Sequence, residues 1–79
     1  MDNNRIKRFQ AAPELIMRLG SGKYEVIANP LPEDAKIERS YYDEDARAFT
    51  IIVQSQEFEP VLWGETIPTI TPMIQRLNG

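Results

Sequence analysis

The residues that could carry chemistry in this chain are carboxylates, a short glycine-rich turn and a few basic side chains. The 79 residues include no Cys and no His, which excludes thiol nucleophiles, disulfides, imidazole bases and the usual zinc ligands. Acid–base catalysis would therefore need two carboxyl groups in different environments across a cleft. The neighbouring acids that offer such pairs are Glu33 with Asp34, Glu38 with Asp43, and Glu57 with Glu59. Because no spacing places a pair in a cleft, we expect no enzyme, no catalytic residue and no cofactor.

The densest acidic run is Asp43, Glu44 and Asp45, for which cation binding has to be considered. A calcium loop requires oxygen ligands at alternating positions, a glycine for its sharp turn and a distal bidentate Glu. Here three consecutive carboxylates are followed by Ala46 and Arg47, without a glycine. We therefore expect a solvated hairpin turn and no metal site.

The run Gly20, Ser21, Gly22 and Lys23 has the composition of a phosphate-binding loop. A P-loop has four residues between its glycines and Ser or Thr after the Lys, with a strand before it and a helix after it. Here the spacing differs and the order of elements is reversed, since a helix is predicted before the run and a strand after it. The run is interpreted as a flexible turn.

The net charge of −3 is the sum of a basic beginning and an acidic remainder. Residues 1–23 carry five basic and two acidic side chains, whereas residues 24–79 carry four and ten. Arg5, Lys7 and Arg8 could form an arm that binds a nucleic acid, and this is the alternative function. Three charges give only weak, non-specific binding, and the acidic remainder repels nucleic acid. A protein partner or a second copy of the chain is therefore the favoured expectation.

Two aromatic residues, Phe58 and Trp63, lie in a segment that is also rich in Pro and Glu. A chain of this size needs its only Trp for burial, so a core position is favoured for Trp63. The alternative is an interface, in which Phe58 and Trp63 supply apolar contact to a partner. In that case Glu57, Glu59 and Glu65 would supply charge complementarity.

The segment before Gly20 is predicted to be a helix. Apolar residues recur there at intervals of three and four, as on one helix face: Phe9, Ala12, Ile16 and Leu19. Pro13 is tolerated only in a first turn, so the helix is expected from about residue 12 to 19, with Gly20 as a left-handed C-cap. The alternative is a hairpin, because residues 15–19 and 24–28 also alternate around the glycine turn.

The clearest predicted element is a hairpin over about residues 35–55, preceded by a short strand at 23–28. In its first strand, Ile37, Arg39 and Tyr41 are expected to share a face. The return strand should meet that face with its alternating apolar residues: Phe49, Ile51 and Val53. Ile52, on the opposite face, indicates that the outer side is partly covered as well.

The predicted fold is a single α+β domain with a small antiparallel sheet of three to four strands and a short N-terminal helix. Residues 1–8 are expected to be flexible, and residues 58–63 extended. Thr71 as N-cap and Pro72 at the first helical position predict a C-terminal helical turn reaching Leu77. Because the sequence has no long apolar run and no signal-peptide core, we expect a cytoplasmic protein without a membrane segment.

Residues 32–68 join the strand–turn–strand pattern to a tail in which Ser55, Phe58 and Val61 are spaced by three residues. In this pattern the chain resembles small uncharacterised proteins encoded by bacteriophages and mobile elements. The group has no common activity, so the resemblance implies no functional residue. What it implies is a phage- or prophage-type accessory protein, for which binding to another protein is the expected mode of action.

Overall fold

The structure, a computed structural model, describes residues 4–78 and is built around a four-stranded sheet. Its elements are β1 (Ile6–Ala11), α1 (Pro13–Gly20), β2 (Tyr24–Ala28), β3 (Lys36–Asp43), β4 (Ala48–Gln54), β5 (Thr69–Ile70) and β6 (Met73–Arg76). The main sheet has the order β3–β4–β1–β5, and β2 pairs with β6 in a separate two-stranded sheet. The fold is α+β, as expected, but the main sheet is mixed because β1 and β5 are parallel.

The N-terminal part of the chain contributes a strand to the middle of the main sheet. β1 pairs antiparallel with β4 on one side and parallel with β5 on the other. Backbone pairing begins before it, since the carbonyl of Asn4 accepts the N–H of Val61 at 2.8 Å. The flexible segment predicted for residues 1–8 therefore overlaps this strand at residues 6–8, while residues 1–3 lie outside the described part.

The hairpin of β3 and β4 contains a β-bulge that changes which side chains share a face. Ile37 pairs with Val53, whereas Arg39 pairs with Ile52, so the register shifts by one residue between them. Because successive strand residues alternate in direction, one extra residue exchanges the faces. The prediction that Ile37, Arg39 and Tyr41 share a face is therefore wrong, since only Ile37 lies on the face of Val53.

The turn between β3 and β4 is closed by the acidic run itself. Asp43 Oδ1 accepts the backbone N–H groups of Asp45 at 3.0 Å and of Ala46 at 3.1 Å. Arg47 then takes a positive φ of 53°, a left-handed conformation that costs free energy for any residue with a Cβ. The described residues include no cluster of three or more acidic side chains that could hold a metal ion.

Arg47→Gly is expected to raise the free energy of unfolding by about 0.5–1 kcal/mol, because glycine adopts a positive φ without steric cost. The matched control is Arg76→Gly in β6, where an extended residue becomes more flexible and stability should fall by a similar amount. Urea unfolding followed by circular dichroism measures both changes. Equal destabilisation by the two substitutions would show that the backbone of Arg47 is unstrained.

The buried core is small and centred on β4. Its apolar members are Ala11, Ala48, Ile52, Val53 and Phe58. Thr50 is fully buried among them, and its hydroxyl accepts a hydrogen bond from Gln10 Nε2 at 3.1 Å and donates to the Ala48 carbonyl at 3.3 Å. Its polar group is thus satisfied, as burial requires.

The single described helix, α1, lies on the surface with no buried residue. The structure has a helix in this segment rather than the alternative hairpin, and Pro13 occupies its first turn. The left-handed position after the helix falls on Gly22, with φ of 78°, and not on Gly20, which is the last helical residue. Ser21 caps the helix instead, since its hydroxyl donates to the Arg18 carbonyl at 2.6 Å.

The chain ends in a strand where a helical turn was predicted. β6 pairs antiparallel with β2, and the pairing continues in the hydrogen bond from Leu77 N to the Lys23 carbonyl at 2.8 Å. The prediction is wrong because so short a helix forms few internal hydrogen bonds. Pairing instead satisfies the backbone of β2.

The molecule is open for its size. Its Cα radius of gyration is 13.7 Å, against about 12 Å for a compact chain of this length. Its accessible surface is 6038 Å², against about 4,900 Å² for a compact monomer of this mass. Many large apolar side chains are exposed, among them Met17, Ile37, Leu62 and Trp63.

Candidate protein-binding site

Residues 62–65 form a tight turn that is closed by two hydrogen bonds between Leu62 and Glu65. Glu65 N donates to the Leu62 carbonyl at 3.0 Å, and Leu62 N donates to Glu65 Oε1 at 2.8 Å. Gly64 has a φ of 90°, the value that the third residue of a type II turn requires. The second residue of the turn is Trp63, so its side chain is presented by a fixed backbone.

Trp63 is completely exposed, at 101% of its reference surface, and its neighbour Leu62 is 63% exposed. The favoured expectation of a core position for Trp63 is therefore wrong. Tryptophan is among the residue types most enriched in protein-binding hot spots, where its ring fills a partner's pocket. We call residues 62–65 the tryptophan turn.

Phe58 connects the tryptophan turn to the core. Its side chain is only 5% exposed, and its ring lies 4.9 Å from Lys7 Nζ. Its carbonyl accepts a hydrogen bond from Arg5 Nη1 at 2.8 Å. Phe58, which was expected to contact a partner, thus holds its segment on the sheet. Because its ring is buried, it is not available for contact with a partner.

The three glutamates assigned to the site have different surroundings. Glu57 and Glu59 are exposed on either side of buried Phe58. Glu65 is exposed too, but its carboxylate accepts the Leu62 N–H and so helps to fix the tryptophan turn. Charge complementarity toward a partner would therefore come mainly from Glu57 and Glu59.

A buried serine ties the start of this segment to the connection between β2 and β3. The hydroxyl of Ser55, which is 2% exposed, donates to Asp34 Oδ1 at 2.5 Å, and Gln56 N donates to Asp34 Oδ2 at 2.9 Å. These bonds, the one from Ser55 most of all, hold the pKa of Asp34 below its ordinary value of 3.8. The carboxylate of Asp34 is thus an attachment point for the segment that carries Trp63.

The lowered pKa of Asp34 predicts a loss of stability in acid. A depressed folded-state pKa stabilises the fold at pH values above the ordinary 3.8, and this contribution disappears as the pH falls through the folded value. Asp34→Asn is therefore expected to lower the melting temperature at neutral pH but to differ less from wild type below pH about 4. Glu33→Gln, at the neighbouring carboxyl, is the control. A constant difference across the pH range would contradict the role of the ionised carboxylate.

The basic residues of the predicted nucleic-acid arm do not form one surface. Arg8 Nη1 contacts Thr69 Oγ1 at 3.2 Å, while Arg5 and Lys7 contact the backbone and ring of Phe58. Lys7 and Arg8 are successive residues of a strand, so they point to opposite faces of the main sheet. Arg5 and Lys7 thus lie together at Phe58, while Arg8 is on the other face of the main sheet.

An apolar groove of about 400 Å³ lies between α1, the main sheet and residues 29–31. Residues that line it include Phe9, Leu15, Leu19, Val26, Leu31 and Ile51. The sequence pattern identified several of these residues as apolar faces of their elements. The pattern did not show that a groove remains between α1 and the main sheet.

Comparison of the chain with protein-family models, with curated proteins and with solved structures gives no match. Within residues 4–78, no helix has both the length and the apolar character needed to cross a bilayer.

Proposed function

We propose that this chain is a non-enzymatic accessory protein, of the kind encoded by phages and prophages, that acts in the cytoplasm by binding another protein. The observation that carries the proposal is the complete exposure of Trp63 on a turn that is closed by two hydrogen bonds between Leu62 and Glu65. An indole in water adds nothing to the core. Burial against a partner would remove roughly 150–250 Å² of aromatic surface from water.

The chemistry of the tryptophan turn indicates what kind of partner surface it fits. Trp63 and Leu62 together require an apolar pocket, because both side chains are largely exposed. Glu57 and Glu59 add two exposed carboxylates to the same segment, so basic side chains at the rim of the pocket would be favourable and would speed association. The partner is therefore a protein with an apolar pocket that is bordered by Lys or Arg.

The nucleic-acid alternative has less support. Electrostatic binding to a phosphate backbone needs several basic side chains on one surface. Lys7 and Arg8 lie on opposite faces of β1, and Arg5 donates a hydrogen bond to the Phe58 carbonyl. No other described feature favours that function.

The test of the proposal is selection of a displayed random-peptide library on the immobilised protein. The selected peptides should be apolar with basic flanks, and Trp63→Ala should weaken their binding at least about 30-fold, the loss expected for a hot-spot residue. Met17→Ala is the matched control, because Met17 on α1 is also highly exposed, at 74%. Equal binding by wild type and Trp63→Ala would overturn the proposal.

A further inference from the structure

The outer edge of β3 is a long strand edge with unpaired backbone groups. Within the described residues, β3 is the terminal strand of the main sheet and pairs only with β4. It is eight residues long and contains no proline. A β-bulge and charged side chains, which protect many edge strands, are present, but residues 39–43 beyond the bulge pair with β4 without interruption. Ile37 and Tyr42 on this strand are 69% and 45% exposed. Such an edge is suited to pairing with another strand.

Two copies of β3 can be paired antiparallel with Ser40 of one copy opposite Ser40 of the other. In this register, the residues that face each other across the two strands are complementary. The bulge makes this possible. Glu38 is its extra residue and has no partner in β4, so Ile37 and Ser40 lie on the same face although they are three positions apart. Ile37, Ser40 and Tyr42 share one face, and Lys36, Arg39, Tyr41 and Asp43 share the other. The opposed residues, with each pair on a single face, are Lys36 with Asp43, Ile37 with Tyr42, Arg39 with Tyr41, and Ser40 with Ser40.

The two outer pairs are chemically favourable in a sheet. Lys36 and Asp43 carry opposite charges, and aromatic residues pair well with β-branched ones, as Tyr42 would with Ile37. Tyr42 already packs edge-to-face on Phe49, with ring centroids 5.1 Å apart, so the partner's Ile37 would extend an existing apolar cluster. Two-fold symmetry makes every off-axis pair occur twice.

We infer that two copies of this chain associate by antiparallel pairing of their β3 strands around Ser40. The result is a two-fold symmetric dimer in which the two main sheets form one continuous sheet. The interface lies on β3 and does not include the tryptophan turn, so it is independent of the function proposed above. Lys36, Ile37, Tyr42 and Asp43 are the residues that set its register.

Introduction of a single cysteine tests the register directly, because the chain has no native Cys. At the two-fold axis the paired Ser40 residues would have Cα atoms about 4.5–5.5 Å apart, within the range of a disulfide. Ser40→Cys should therefore become a covalent dimer on mild oxidation. Ser21→Cys, exposed in the turn after α1, should cross-link at least about tenfold more slowly. Equal rates would overturn the inferred register.

Sedimentation over a range of concentrations tests the dimer without cysteine chemistry. Ile37→Lys places a charge at an exposed edge position and should weaken dimerisation at least about tenfold. Met17→Lys makes the same change at a similarly exposed site on α1 and should dimerise like wild type. A wild-type monomer, or a dimer unaffected by Ile37→Lys, would overturn the inference.

A charge exchange identifies the partner as a second copy in this orientation. Lys36→Glu and Asp43→Lys should each be monomeric, since like charges then oppose one another at both ends of the interface. Their mixture should form a heterodimer in which both ion pairs are restored. Circular dichroism checks that Asp43→Lys still folds, because Asp43 also closes the hairpin turn. Trp63→Ala should dimerise normally, so loss of peptide binding and loss of the dimer are distinguishable.

Discussion

Phe58→Ala is expected to lower the free energy of unfolding by about 3–5 kcal/mol, the usual loss for truncating a buried phenylalanine. The ring is 5% exposed and fills the space beneath the Lys7 side chain, so its removal leaves a cavity in a core with few apolar members. A domain of this length has a total stability of roughly 4–12 kcal/mol. We therefore expect a large unfolded population at moderate temperature, measurable by urea unfolding with circular dichroism detection.

The matched control for this substitution is Trp63→Ala. It removes a larger aromatic ring only five positions away, yet the ring is completely exposed, so the free energy of unfolding should change by less than about 0.5 kcal/mol. A comparable loss from both substitutions would contradict the separation of the two roles, in which Phe58 holds the segment and Trp63 is available to a partner.

Ile52→Ala is expected to cost about 2–4 kcal/mol of stability. Ile52 is 2% exposed, although it lies on the face of the main sheet opposite Ile37, Phe9 and Val53. It pairs with Arg8 on one side and with Arg39 on the other. Because paired residues share a face, the aliphatic parts of both arginines flank the isoleucine and exclude water from it.

Ile27→Ala serves as the control for Ile52→Ala, because the same three carbon atoms are removed from a side chain that is 51% exposed. Its effect should be below about 1 kcal/mol. Arg8→Ala should also destabilise the protein through lost cover of Ile52, and high salt should not reproduce this effect. If salt alone produces the same loss, the contribution of Arg8 is electrostatic.

The hairpin of β3 and β4 was predictable because its signals are local. β4 alternates with a period of two, and the polar residues between the strands are typical of a turn. The bulge after Ile37 was not predictable, because no glycine or proline marks it. That single extra residue moves both Arg39 and Tyr41 to the face opposite Ile37. The position of the bulge is decided by the pairing of β3 with β4.

The two other strand errors have a common physical cause. β1 carries Lys7 and Arg8 in its middle, so its alternation is hidden, and the apolar stripe through Phe9 was assigned to a helix. β6 follows strong helix-start residues at Thr71 and Pro72. In both places the backbone pairing with a distant strand, β4 or β2, prevails over local preference.

The sequence indicated which residues could form a candidate site, and that remains a prediction; it did not indicate how they are arranged. The composition of residues 57–65 indicated a partner surface, and Gly64 with Glu65 indicated a turn. The core preference for Trp63 came from the general need of small domains for aromatic burial. Phe58 meets that need in the structure, and nothing local distinguishes which of the two rings is buried.

The position of the chain's only tryptophan also decides what its fluorescence can report. An indole that is fully hydrated in the folded protein has nearly the same surroundings after unfolding, so the emission spectrum of Trp63 should shift little across a denaturation curve. Only burial against another molecule would shift that emission to shorter wavelength. The protein therefore contains a native optical probe that reports binding at the tryptophan turn and is nearly silent to folding.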